Sequence, residues 1–214
     1  MGKPLLRMIE LSEYSGINDR NDPIRFYRLP FIGNLFRRRV EKCLKELSGG
    51  HSVLEVGFGS GVTFLHLNDM YNEIHGLDLT ANVEAITERF QKLGVMTYLS
   101  NGDILNMPYQ DSYFDSVLLI SILEHLKPEF LYSAFLEISR VLKQNGQVIY
   151  GVPIDKKIMD YAFRYLGYNI REYHFSNHKQ ISEASEVFFK RVSISNIYVF
   201  PFGSLYEVCH WEKG

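Results

Sequence analysis

The chain has 214 residues, of which 46% are hydrophobic and 22% charged, and its formal net charge at pH 7 is −2. This composition is typical of a globular protein with one sizeable core, and the slight acidic balance argues against a nucleic-acid partner. Two cysteines occur without disulfide or metal-ligand spacing, and no apolar segment is long enough for a signal peptide or a membrane span. We therefore expect one cytoplasmic domain over residues 1–214.

The N-terminal part of the chain, residues 1–48, is expected to differ from the rest. Residues 1–29 are polar and irregular, and residues 31–47 carry apolar side chains at the spacing of an amphipathic helix. Arg37, Arg38 and Arg39 lie beside that apolar face. Such arginines are commonly a solvated face, but they could also hold the helix on an anionic membrane surface. As a further alternative, the irregular segment could fold over a ligand site as a lid.

Strand and helix patterns then alternate along the chain. Strands are predicted at residues 52–56, 73–77, 95–100, 114–120 and 147–152. Helices are predicted from the turn after the first strand to about residue 70, and at about 82–93 and 128–142. This order predicts a parallel, doubly wound sheet. Residues 192–200 and 205–211 form two further strand patterns joined by a turn, so they should pair as an antiparallel hairpin.

The predicted fold is therefore α/β, with three layers and a mostly parallel, seven-stranded, doubly wound sheet. Its antiparallel member should be a strand of the C-terminal hairpin. Ligands of such sheets bind at the carboxyl ends of the strands, where the strand order reverses.

A glycine turn follows the first strand and is the most specific feature of the sequence. Gly57, Gly59 and Gly61 alternate with Phe58 and Ser60. Glycine removes side chains where a backbone must approach a ligand closely. The third glycine comes one residue earlier than in the dinucleotide fingerprint, and no Lys-Ser/Thr pair of a P-loop follows. The turn indicates a nucleoside-containing cofactor of another kind.

Acidic residues follow the next two strands. Asp78 ends the second strand at the distance from the glycines expected of an acid that binds ribose hydroxyls. Asp103 follows the third strand, and the fourth leads into a segment from Ser121 to His125. Each acid alone could cap a turn, but three features after successive strands are unlikely to coincide by chance.

Together with Glu55, these motifs resemble those of class I S-adenosylmethionine (SAM)-dependent methyltransferases, in particular the small-molecule branch. The resemblance covers about residues 53–153. It implies SAM as the cofactor, S-adenosylhomocysteine as the product and no metal. The residues it assigns to the cofactor are Glu55, Gly57, Phe58, Gly59, Gly61, Asp78, Leu79, Gly102, Asp103, Ile104, Ser121 and His125. Glu55 could instead have a structural role, accepting hydrogen bonds from the glycine turn.

Methyl transfer from a sulfonium is a direct displacement, so the protein has to align the reacting atoms and exclude water. An oxygen or nitrogen acceptor that carries a proton also needs a base, and histidine is the usual choice. His125 and His174 are the two candidates. The resemblance leaves another role open for each: His125 could belong to the cofactor shell, and His174 could bind backbone.

Residues 154–190 are predicted to be an acceptor-binding insertion. Tyr161, Tyr165, Tyr168 and Tyr173 are spaced so that some of them could line an apolar pocket, although aromatic residues at helical spacing are more often core. The expected acceptor is a small, lipid-like or sugar-like molecule.

Other activities are less compatible with the sequence. Residues 121–124 lack the Asn/Asp-Pro-Pro-Tyr motif of enzymes that methylate amino groups of nucleic-acid bases. Methylation of a protein, and SAM binding without methyl transfer, stay open as alternatives.

Overall fold

In the computed structural model of the chain, the described residues are 6–10, 12–14, 23–30, 32–154 and 174–214. The four tyrosines predicted to line an acceptor pocket lie outside these ranges.

A seven-stranded sheet forms the centre of the molecule. Its strands lie in the order β3-β2-β1-β4-β5-β7-β6. They are β1 (Gly50–Val56), β2 (Tyr71–Asp78), β3 (Thr97–Asn101), β4 (Phe114–Ile120), β5 (Leu142–Pro153), β6 (Lys190–Val199) and β7 (Gly203–Glu212). The pairs among β1 to β5 are parallel, and β7 runs antiparallel to both β5 and β6. The predicted fold class is confirmed, including the antiparallel strand of the hairpin.

Helices pack on both faces of this sheet. They are α1 (Ile32–Glu46), α2 (Phe64–Leu67), α3 (Val83–Gln91), α4 (Pro128–Val141) and α5 (His178–Ser185), with 3₁₀ turns at Pro23–Arg28 and Leu123–His125. The side chain of Asn82 caps α3 by accepting a hydrogen bond from the N–H of Ala85. Asn177 and Gln180 form a reciprocal capping box at the start of α5.

Two apolar cores lie on opposite faces of the sheet. In β1, Val53 belongs to the first core, whereas Leu54 and Val56 belong to the second. In β4, Leu118 faces the first core and Val117 the second. Because successive strand side chains point to opposite faces, an almost continuous apolar strand fills both cores at once. This burial explains why the predicted central strands match the structure closely.

The helix after the glycine turn differs from its prediction. The sequence pattern predicts a helix through about residue 70, but α2 is a single helical turn of four residues. Gly57, Gly59 and Gly61 all have positive φ, so helical geometry cannot begin until the turn has ended. Thr63 is the N-cap of this short helix.

Strand β5 is also longer than predicted, because it begins at Leu142. Phe114 pairs with Leu142, but Ser116 pairs with Gln147, so the intervening residues form a bulge. The predicted turn lies within this bulge, where Asn145 has a φ of 59°.

Helix α1 places its apolar face on the sheet. Phe36, Val40 and Cys43 are buried there, in a helix that contacts β4, β5 and β7. A membrane contact through α1 would thus have to use its arginines rather than its apolar face. Among the described residues, no helix is both long enough and apolar enough to cross a membrane.

The described N-terminal residues lie across the helices beside the glycine turn. The backbone N–H of Leu6 donates to Glu41 of α1, and that of Arg7 donates to His66 of α2 at 2.7 Å. Glu13 forms an ion pair with Arg89 of α3. These contacts hold the segment on the first core, where Tyr14 is 1% exposed.

Candidate functional site

The candidate site lies at the carboxyl edge of the sheet, between β1 and β4. The two strands are parallel neighbours, with Val56 paired to Leu119, so the loops that follow them meet. On one side of this pair the strand order continues to β2 and β3, and on the other side to β5. This is the reversal point at which doubly wound sheets bind ligands.

The glycine turn forms the floor of this edge. Gly57 has a φ of 73°, and a Cβ built on it would lie 1.9 Å from Cδ1 of Ile122. A Cβ on Gly61 would lie 2.6 Å from the ring of Phe64. Both positions therefore require glycine for conformation and for space. The contact between Gly57 and Ile122 also joins the loop after β1 to the loop after β4.

Asp78 ties the turn to the end of β2. Its Oδ2 accepts a hydrogen bond from the N–H of Gly59 at 3.0 Å. Its Oδ1 accepts from the N–H groups of Thr80 and Ala81 at 2.9 and 3.0 Å. A carboxylate has about four acceptor positions, so these three bonds leave room for a further donor. Asp78 is partly exposed, which leaves that position accessible to a ligand.

Glu55 lies below the turn and is 3% exposed. The hydroxyl of Thr63 donates a hydrogen bond to its carboxyl group. Burial raises the pKa of Glu55 to about 8, with the Thr63 bond opposing and the nearby Asp78 charge adding to the shift. Glu55 is therefore buried below the turn, and the hydrogen bond described for its carboxyl group comes from Thr63 at the start of α2.

Four further residues assigned to the cofactor differ in the exposure of their side chains. The side chains of Phe58 and Ile104 are 2% and 6% exposed and belong to the cores, so only their backbone can face a ligand. By contrast, Leu79 is 70% exposed directly after Asp78. Asp103 is exposed too, and its Oδ1 accepts a hydrogen bond from the N–H of Leu105 at 2.9 Å.

Gly102, which is also assigned to the cofactor, is half-buried in the loop after β3. A Cβ at this position would lie 2.7 Å from Cδ1 of Leu77. The N–H of Gly102 donates to the carbonyl of Asp78, so the loop after β3 is held against the end of β2.

A polar network that the sequence did not predict surrounds Ser121. Nη1 of Arg39 donates to Oγ of Ser121 at 3.1 Å, and this hydroxyl shares a 2.9 Å hydrogen bond with Tyr206. The guanidinium of Arg39 also stacks 4.0 Å above the ring centroid of Phe36. Arg39 follows Phe36 by three positions on a helix, which would have placed it at the border of the buried face. No sequence signal marks Tyr206, because β7 reaches this edge only in the folded sheet.

The two candidate bases lie together beyond Ser121. The rings of His125 and His174 have centroids 5.2 Å apart in an edge-to-face arrangement. Glu124 stands beside them and is 2% exposed. Burial raises the pKa of Glu124 to about 7, and the charges of His125 and Arg39 oppose that shift. The fold therefore brings together His125 and His174, which the sequence predicts separately as candidate bases. It also places Glu124 beside them, a residue that the sequence analysis did not assign to the site.

The match to a known family covers the centre of the chain. Residues 54–150 match the family model described as a methyltransferase domain. Phthiotriol/phenolphthiotriol dimycocerosates methyltransferase 1 of Mycobacterium ulcerans is 36% identical over 120 residues, which are 55% of this chain and 42% of that protein. Demethylmenaquinone methyltransferase of Staphylococcus haemolyticus is 28% identical over 141 residues, which are 62% of this chain and 58% of that protein. The chain spans about half the length of the curated relatives it matches.

Solved structures share the fold over most of the chain. The PH0226 protein of Pyrococcus horikoshii OT3 superposes with a TM-score of 0.71 at 17% identity, covering 91% of this chain and 97% of that one. Geranyl diphosphate C-methyltransferase of Streptomyces coelicolor A3(2), solved with Mg²⁺, geranyl diphosphate and S-adenosylhomocysteine, gives 0.70 at 13% identity, covering 93% and 90%. The [4+2]-cyclase SpnF gives 0.68 at 16% identity, covering 92% and 86%. Residues 54–150 are thus similar to a methyltransferase domain, and the fold of the chain is the fold of class I, Rossmann-like SAM-dependent methyltransferases.

Proposed function

We propose that the protein transfers a methyl group from SAM to a small, predominantly apolar acceptor. The observation that carries this proposal is the pairing of a glycine turn that admits no side chain with a partly exposed carboxylate, Asp78, at the reversal point of the sheet. The match of residues 54–150 to a methyltransferase domain supports the same donor.

The residues at this edge fit SAM by shape and by chemistry. Gly57 leaves backbone where a side chain would collide with Ile122, so a ligand can approach the turn closely. The free acceptor position of Asp78 suits a ribose hydroxyl. Leu79 offers an exposed apolar surface for a purine ring, and Asp103 offers a carboxylate beside it. This set of residues includes no phosphate-binding group, and SAM needs none because it carries no phosphate.

In this proposal SAM supplies a methyl group already activated by its sulfonium, and the chain positions the partners. Asp78 and the glycine turn would hold the nucleoside and methionine parts. Ile122 and Ser121 would close the edge against water, since the loop after β4 lies on the turn. His125 or His174 would receive the proton of an oxygen or nitrogen acceptor.

Support for an apolar acceptor comes from the relatives. Two of them are named for menaquinone and for dimycocerosate substrates. The aromatic segment of residues 154–190 would supply the pocket, and the segment 1–48 would cover it. A membrane contact would rely on the exposed Arg38 and its neighbours, because the apolar face of α1 is packed on the sheet.

A labelling experiment tests the transfer directly. The purified protein is incubated with SAM carrying an isotopic methyl group and with lipid and aqueous metabolite extracts in separate reactions. We expect the label in one or a few products of the lipid extract, identified by mass. Label found only in polar metabolites, or in protein, would reject the proposed acceptor class.

Asp78→Asn tests the cofactor site. We expect at least a tenfold loss of affinity for S-adenosylhomocysteine in a calorimetric titration, because a charged acceptor is lost from the ribose site. Glu88→Gln is the matched control, since Glu88 lies on α3 with a 69% exposed side chain and should leave the affinity unchanged. Equal affinities of the two variants would contradict the assignment.

A second candidate function is SAM binding that serves another reaction. The similarity of the fold to that of the [4+2]-cyclase SpnF supports this alternative, since one fold can host different chemistries. Tight binding of SAM, without formation of S-adenosylhomocysteine with any extract, would support this alternative.

A further inference from the structure

We propose that Glu124, His125 and His174 form a binding site for a divalent transition-metal ion. Each residue offers one ligand atom, and the three atoms all lie within 4.8 Å of one another. Two imidazoles and one carboxylate are a ligand set of zinc sites and of non-haem iron(II) sites. The proposal replaces the expectation, drawn from the family resemblance, that the protein uses no metal. When the metal is bound, His125 and His174 are its ligands and do not act as bases.

The first argument is the state of the Glu124 carboxylate. Its Oε2 is buried and has no hydrogen-bond partner among the described residues. A buried carboxylate oxygen without a partner is costly, and a bound cation is one of the few groups that offset this cost. The charge of Arg39 stabilises this carboxylate, but the hydrogen bond described for its guanidinium is donated to Ser121 and so does not provide Oε2 with a donor.

The second argument is that backbone contacts hold the ligands together. The carbonyl of Glu124 accepts hydrogen bonds from the N–H groups of Phe175 and Ser176, at 2.8 and 3.2 Å. Oγ of Ser176 donates to the carbonyl of Leu126 at 2.6 Å, across 50 positions of sequence. His174 directly precedes this set of bonds. Its place beside His125 is therefore fixed by the main chain, which is how a site with ligands distant in sequence is built.

The third argument concerns size and access. Two ligand atoms of a tetrahedral zinc ion are about 3.4 Å apart for bond lengths of about 2.1 Å. Small side-chain rotations would close the present cluster to that size, and His125 is exposed. With three protein ligands, at least one coordination position stays open. Glu124 and His125 belong to the loop after β4, which contacts the glycine turn through Ile122, so an oxygen or nitrogen atom of an acceptor could occupy that position.

Metal titration of the whole chain tests the proposal without methyl transfer. Protein stripped with a chelator is titrated with Zn²⁺ by calorimetry and with Co²⁺ by visible absorption. We expect one site per chain, and a Co²⁺ spectrum of a four- or five-coordinate nitrogen and oxygen site. Glu124→Gln, His125→Asn and His174→Asn should each weaken binding at least tenfold.

His51→Asn is the matched control, because His51 is exposed at the opposite end of β1 and should leave binding unchanged. Circular dichroism spectra establish that each variant is folded, and Glu124→Gln keeps the shape of the side chain. Absence of a stoichiometric site, or binding that none of the three substitutions weakens, would overturn the proposal. Metal binding and labelled methyl transfer are separate readouts, so either proposal can fail while the other stands. Only the use of the open position by an acceptor rests on the proposed function.

Discussion

Gly57 and Gly94 have almost the same backbone conformation, with φ of 73° and 76°, but different surroundings. A Cβ on Gly57 would collide with Ile122, whereas nothing lies within 4 Å of one on Gly94. Substituting each glycine by alanine therefore distinguishes two contributions to the loss of stability: the left-handed backbone conformation, and the collision at the candidate site.

We predict that Gly94→Ala lowers the free energy of unfolding by about 1 kcal/mol, through the left-handed conformation alone. Gly57→Ala should lower it by about 1–3 kcal/mol more, because the loop after β4 has to move. Gly57→Ala should also weaken binding of S-adenosylhomocysteine. Urea unfolding and calorimetry measure both effects, and equal losses of stability in the two variants would show that the collision is absent.

Glu55 makes stability depend on pH. Its folded pKa of about 8 lies above the ordinary glutamate pKa of 4.5, so the folded protein holds this proton more tightly than the unfolded chain. The stabilisation is complete below about pH 4.5 and is lost as the pH rises towards 8. Glu55→Gln mimics the protonated side chain and removes this dependence.

We predict that the stability of the wild type relative to Glu55→Gln falls between pH 5 and 8, by at most about 1.4 kcal/mol per pH unit. Unfolding by urea at a series of pH values measures the difference. Glu88→Gln is the control, because Lys92 lowers the pKa of this exposed carboxylate and takes its titration out of the window. A constant difference over the whole range would contradict the raised pKa.

At the scale of elements, the C-terminal hairpin is fixed to the sheet by buried polar contacts. Nε1 of Trp211 in β7 donates to the hydroxyl of Tyr150 in β5 at 3.1 Å. The same hydroxyl shares a 3.1 Å hydrogen bond with Ser185 at the end of α5. One tyrosine therefore connects two strands and a helix within the second core.

Tyr150→Phe is predicted to lower the free energy of unfolding by about 1–3 kcal/mol, since it leaves the buried indole N–H without an acceptor. Tyr132→Phe provides the comparison, because Tyr132 is 55% exposed on α4 and its loss should stay within about 0.5 kcal/mol. Thermal and urea unfolding of both variants measure the effect. Similar stabilities for the two would mean that the hydroxyl of Tyr150 does not hold the hairpin.

For the whole molecule, binding at the reversal point should stabilise the fold, because the glycine turn and Asp78 join β1, β2 and β4. S-adenosylhomocysteine at about 100 times its Kd should add about 2.7 kcal/mol of stability. For a chain of this size, the added stability raises Tm by roughly 5–10 °C. Differential scanning fluorimetry measures the shift. ATP and NAD⁺ are the control ligands, and a larger shift with either would refute the choice of cofactor.

Much of the fold could be predicted from the sequence because its signals are local. Apolar strands and turn residues predicted the seven strands, the parallel pairing of the first five and the antiparallel hairpin of the last two, and Asn82 marked the start of α3. The glycine turn and Asp78 could be placed at one edge for the same reason, since parallel strands end together. The helix after the turn was predicted too long, because the N–H groups of Asp69 and Met70 bond to carbonyls three positions back, as in turns, and the sequence pattern does not show this change.

The sequence alone determined the doubly wound sheet, and it predicted the donor site from the residues that follow β1, β2 and β3. Only the tertiary structure decided the surroundings of Ser121 and of His125. Arg39 comes from α1, Tyr206 from β7 and His174 from the chain before α5, and no spacing in the sequence connects them. The reason is physical, because contacts between residues distant in sequence exist only once the sheet has brought its strands together.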